Sequence, residues 1–183
     1  MNPTDNRTPS ASAILRVLES RMKAIEWSGP DSAPQPAFER VEIADIAEIV
    51  EVMKRLVISQ SRFCVLIYNG ADFRPERRGT DLQIFQTHSV VCLVADRVTG
   101  DRVAAYLGHG TTPGAYELAR LVCGAAAGNL IPNPRGAFCV PQTAVPIEIQ
   151  DKAGPVNGRA AMEIDLEITG GEIRSSLGNS PIP

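Results

Sequence analysis

The segment RAAMEIDLEIT, residues 159–169, constrains the fold more than any other part of the chain. Met162, Ile164, Leu166 and Ile168 alternate with Glu163, Asp165 and Glu167, a strict period of two. Side chains on a strand point alternately to opposite faces, so one face is apolar and the other acidic. Such a strand belongs to an antiparallel sheet with one covered face and one wet face. A row of like charges also resists stacking against a second sheet. The three acids are a candidate acidic channel face, one that would repel nucleic-acid phosphates.

The rest of the chain is read around this strand. Ile14, Leu15, Leu18, Met22 and Ile25 fall at helical spacing, predicting a first helix capped at Ser12 and ending near Lys23–Glu26. WSGPDSAPQPAF, residues 27–38, carries three prolines and breaks the pattern. FERVEI, 38–43, alternates as a short strand. A second helix follows from Asp45, with Ile46, Ile49, Val50, Met53, Leu56 and Val57 on one face. FCVLIY is apolar on both faces and reads as a central strand ended by an Asn69–Gly70 turn, with RPERRG, 74–79, as a charged loop. Residues 80–97 form a long strand and residues 98–112 a connection. A helix follows Pro113 and stops at Gly128–Asn129. Strands near 137–149 and 159–169 close the chain. The expectation is α+β: a mixed or antiparallel sheet with helices packed on one face, in the order α-β-α-β-β-α-β-β. Residues 1–11 and 170–183 are expected to be disordered tails around a single domain, 12–169.

A 183-residue chain with 44% apolar and 21% charged residues can bury one core. Its net charge of −3 argues against a general nucleic-acid binder. No apolar run is long enough to span a bilayer, and the polar N-terminus lacks the pattern of a secretory signal. The four cysteines form no CxxC pair and read as small buried hydrophobes in a reducing compartment. His88 and Cys92 share a strand face, but a metal would need two more ligands, so no metal site is expected.

GHGTTPGAYELARLV, residues 108–122, has the look of a phosphate cradle. A dinucleotide loop needs a strand directly before its glycines and a ribose-binding acid after a second strand; a P-loop needs Gly-Lys-Ser/Thr. None is present. A long, functional loop entering a helix is the expected reading. Arg74, Arg77 and Arg78 make a basic stretch, either a solvated surface or a contact for an acidic partner. No catalytic residue, metal or cofactor is expected from these patterns.

RFCVLIYNGADF, DLQIFQTHSVVCLVADR and GTTPGAYELARLV, in that order and followed by two closing strands, resemble the phage tail terminator (tail completion) family, in the version found in Mu-like prophages. The resemblance spans about residues 12–169. It implies a structural protein without catalysis or cofactor. Six subunits would cap the tail tube as a ring, stop its polymerisation and present a surface to the head-side connector. The partners implied are other copies of the chain, the tail-tube protein and the connector, with no sequence-specific nucleic-acid binding and no membrane. The setting implied is the bacterial host cytoplasm during assembly and then the virion tail. Arg74, Arg77, Arg78, Gly108, His109, Gly110, Thr111, Thr112, Gly114 and Tyr116 would form the subunit or tube interface, the glycine loop ordering on contact. The alternatives are another morphogenesis protein, such as a head–tail connector, or a small enzyme. The enzyme requires His88 or His109 within hydrogen-bond reach of a cysteine or of the acidic strand.

Overall fold

The computed structural model describes residues 9–29, 33–78, 81–97, 102–110, 112–131, 137–148, 150–151, 154–155 and 159–175. The elements in chain order are α1 (Ala11–Lys23), β1 (Glu26–Trp27), β2 (Gln35–Pro36), β3 (Arg40–Ala44), α2 (Ile49–Ser59), β4 (Arg62–Arg78), β5 (Asp81–Arg97), α3 (Arg102–Leu107), α4 (Gly114–Ala126), β6 (Gly128–Asn129), β7 (Phe138–Ile147), β8 (Gln150–Asp151), β9 (Gly154–Pro155) and β10 (Arg159–Ser175). The chain is α+β. Its main sheet runs β3-β4-β5-β10-β7-β6, with β3 parallel to β4 and the other neighbours antiparallel. Parallel neighbours need a crossover, and α2 supplies it.

The long alternating strand sits between β5 and β7, so its apolar row is buried on both flanks. Met162, Ile164, Leu166 and Ile168 join Cys64, Leu66, Val90, Cys92 and Val94 in one layer of side chains. Helix α1 closes that layer with Ile14, Leu15, Leu18 and Met22, and α4 with Ala115, Leu118, Ala119 and Val122. The expectation of helices on one face holds for α1 and α4. Helix α2 lies on the other. Its buried Leu56 packs with Phe63, Val65, Ile67, Leu93, Ala95 and Ala161, whose side chains alternate with those of the first layer. The two-faced apolar run FCVLIY is the physical reason, since each of its faces needs a cover.

Five local expectations are corrected. Ser10, not Ser12, caps α1, its hydroxyl accepting from the Ala13 N–H at 3.1 Å. The Asn69–Gly70 pair is not a turn. Strand β4 passes through it with a bulge between Tyr68 and Gly70, which has φ 116°. Residues 74–78 are therefore strand, paired with 81–85, rather than a charged loop. The connection 98–112 contains helix α3, whose Ala105 is buried and whose Tyr106 ring packs on Tyr116 at 5.6 Å. Strand β10 runs on through Ser175, past residue 169, because β5 offers it register partners as far as Leu82. The expected tail at residues 1–8 and the end of the chain from 176 lie outside the described residues.

Candidate functional site

The glycines of GHGTTPG serve one another. Gly108, Gly110 and Gly114 have φ of 82°, 53° and 75°, the left-handed region that L side chains avoid. A Cβ on Gly114 would lie 2.2 Å from the Gly108 nitrogen, and a Cβ on Gly108 would lie 2.4 Å from the Pro113 carbonyl oxygen. The two backbones are thus pressed together at the entrance to α4. His109 and Thr112 close the loop, each N–H donating to the other's carbonyl at 3.1 and 3.0 Å. Thr111 lies outside the described residues.

A helix N-terminus carries unpaired N–H groups and partial positive charge, which suits an anion. Here the chain provides its own. The buried Asp96 carboxylate accepts from the Gly114 N–H at 3.0 Å. The Gly114 N–H that an anion at this helix end would use is already taken by Asp96. Burial pushes the Asp96 carboxyl above its ordinary range, against the opposing pull of the Gly114 hydrogen bond and the charges of Arg62 and Arg159.

Two arginines close helix C-termini, where free carbonyls favour a cation. Arg159, at the start of β10, donates to the carbonyls of Val57, Gln60 (2.8 Å) and Ser61 (3.2 Å) at the end of α2, with its guanidinium 5.8 Å from the centre of the Phe63 ring. Arg21 on α1 donates to Ala125 (3.1 Å), Ala126 and Asn129 at the end of α4. Sequence reading missed Asp96, Arg159 and Arg21. An acid or base inside or next to an apolar run, as in VADR and GRAAM, was the available signal.

At the other end of the sheet, β4, β5 and the end of β10 run beyond the helices as a three-stranded arm. Phe73 is 59% exposed on it, and Arg74 is exposed opposite Phe85. Phe85 is eleven residues along β5 from Asp96, roughly 36 Å of extended chain. Arg74 and the glycine loop therefore mark opposite ends of the molecule, while the side chains of Arg77 and Arg78 lie outside the described residues. Tyr116 at the start of α4 is 46% exposed and packs on Tyr106 of α3, a helix whose Val103 and Leu107 are also exposed.

The acidic row is half-buried rather than wet. Glu163, Asp165 and Glu167 face the α2 side, opposite Leu93, Val91 and Ser89 of β5, and Thr143 donates to Asp165 at 2.5 Å. His88 is buried, and its Nδ1 lies 3.0 Å from the Tyr68 hydroxyl. Cys92 meets Cys64 at 3.3 Å between sulfurs. The Cys64 contact and burial push the Cys92 thiol well up, and burial pushes Cys139 up to about 11. Such thiols stay protonated and unreactive. Among the described residues, neither histidine bonds a cysteine or an acid, and no three His, Cys, Asp or Glu side chains could hold a metal ion.

No protein-family model matches the chain, and no curated protein is similar to it. Among the described residues no helix is long and apolar enough to cross a membrane.

Proposed function

We propose that this chain is a structural assembly subunit, a tail terminator of the phage type. It caps a tail tube as a ring, most simply of six copies, stops its growth and offers a joining surface to the head-side connector. The observation that carries the reading is the separation of two exposed surfaces. One is the arm bearing Phe73 and Arg74; the other is formed by α3 and the start of α4 around the glycine loop, with Val103, Leu107 and Tyr116 exposed. A closed ring made head to tail needs two different patches on each subunit. Exposed large apolar residues near each end of the sheet suit that requirement. The glycine loop then acts as a rigid mount for Tyr116. The half-buried acids would face the lumen side and keep DNA from adhering.

The test is the mass in solution by light scattering across a concentration series, with and without tail-tube subunits. A discrete ring of about six copies, formed alone or on addition of tube, supports the reading. A monomer that ignores tube at every concentration overturns it. A ring that binds connector but not tube favours the connector alternative.

A further inference from the structure

Two of the arm's three strands change register near where they leave the helical layer, β4 opposite Val90 and Ser89 and β10 opposite Thr87 and Phe85. Strand β4 bulges between Tyr68 and Gly70, and β10 slips between Thr169 and Glu172. The uninterrupted strand between them is β5, and the residue between the two shifts is His88, opposite Ala71 on one side and Ile168 on the other. Its side chain is 1% exposed. The Tyr68 hydroxyl meets Nδ1, while Nε2 is buried without a hydrogen-bond partner among the described residues.

We propose that this junction is a pH-operated hinge, closed while His88 is neutral and released when its imidazole takes up a second proton. A neutral imidazole needs one partner for its donor or acceptor and tolerates the other nitrogen bare at moderate cost. An imidazolium has two N–H donors and a full charge. Among the described residues, nothing on its side of the sheet receives that charge. On β4 the titratable group there is Tyr68; on β10 the neighbour is Ile168; on β7 it is the protonated thiol of Cys139. The helices over this face bring Cys123, itself pushed up by burial, and Arg21, a cation already bound to α4 carbonyls. Glu163, Asp165 and Glu167 lie on the reverse face, as their alternation with Ile164, Leu166 and Ile168 requires. Burial accordingly holds the His88 imidazole below its ordinary value. Opening the hinge returns the ring to water and to its ordinary value. The closed form is therefore fully favoured above about pH 6.5 and is lost as pH falls toward the lowered value of the closed form.

The chain has two histidines, which makes the test clean. Hydrogen exchange, corrected for intrinsic rates, is followed in segments 70–78 and 160–168 from pH 7.5 to 5.0. In the wild type and in His109→Gln, protection of 70–78 should fall about tenfold per unit of pH below 6.5, with 160–168 unchanged. In His88→Gln it should not vary with pH. Arm protection that is flat in the wild type, or that falls equally in His88→Gln, overturns the hinge. If His88→Gln does not fold, the wild-type NMR titration decides. Arm amide shifts that track His88 protonation below pH 6.5 support the proposal; a His88 that titrates without moving them overturns it.

Discussion

The Asp96 carboxylate and the Gly114 backbone N–H meet at 3.0 Å, so α4 begins on an acid borrowed from a neighbouring strand. Asp96→Ala leaves that buried N–H, and the charges of Arg62 and Arg159, without their partner. We expect a loss of about 1–3 kcal/mol at pH 7 by urea unfolding. Asp96→Asn keeps an acceptor and should lose less. The pH dependence has a definite sign. The folded-state pKa of Asp96 is raised, so its contribution is fully present below the unfolded value of 3.8 and declines as pH rises through the folded value. The wild type should therefore gain on Asp96→Asn when both are compared at pH 4 rather than pH 7.

The three loop glycines should respond unequally to alanine. Gly108 and Gly114 combine positive φ with backbone atoms closer than 3 Å to any added Cβ, so each substitution should remove about 3 kcal/mol or more. Gly110 has positive φ but open space, so Gly110→Ala should remove only about 1 kcal/mol. Thermal unfolding of the three variants checks the order. Equal losses would mean that the loop does not close on itself.

Arg159 holds the end of α2 to the sheet. Arg159→Met keeps the stem over Phe63 but abandons the α2 carbonyls, and should cost about 1–2 kcal/mol. The loss should be local: amide exchange in 49–59 should accelerate more than in 114–126. Uniform acceleration would show that Arg159 supports the whole core instead.

Phe73→Asp and Leu107→Asp test the two exposed surfaces of the proposed ring. Both residues are more than half exposed, so each variant should unfold within about 0.5 kcal/mol of the wild type. Each should nevertheless abolish ring formation in light scattering. Rings formed by both variants would move the interface elsewhere.

Much of the architecture was legible because hydrophobic period is a local property. The helices α1, α2 and α4 and the strand β10 announce themselves by spacing, and the first half of β4 by its branched and aromatic run. The acidic alternation of β10 also gave the right face for Met162 and its neighbours. What was not legible depends on pairing. Asn69–Gly70 has turn chemistry, yet β5 offers partners on both sides of it and turns it into a bulge. RPERR looks like loop because it is charged, but strand pairing answers to backbone hydrogen bonds. The glycines at 108 and 114 signalled close backbone approach correctly. What approaches is the chain itself, and only the position of Asp96 under α4 reveals that. Arg21, Arg159 and the Tyr68–His88 pair join residues distant in sequence and leave no spacing to read.

The order of the sheet places the last of the described strands, β10, in its middle, between β5 and β7. During synthesis the ribosome therefore delivers the keystone after the stones on either side of it. Until residues 159–175 emerge, the β5 edge and the β7 edge stand open, and the row from Met162 to Ile168 that fills the core is missing. A nascent chain cut short before this point has no route to a finished body. Closure of the sheet therefore waits on residues 159–175, and a chain that lacks them presents unpaired strand edges on β5 and β7.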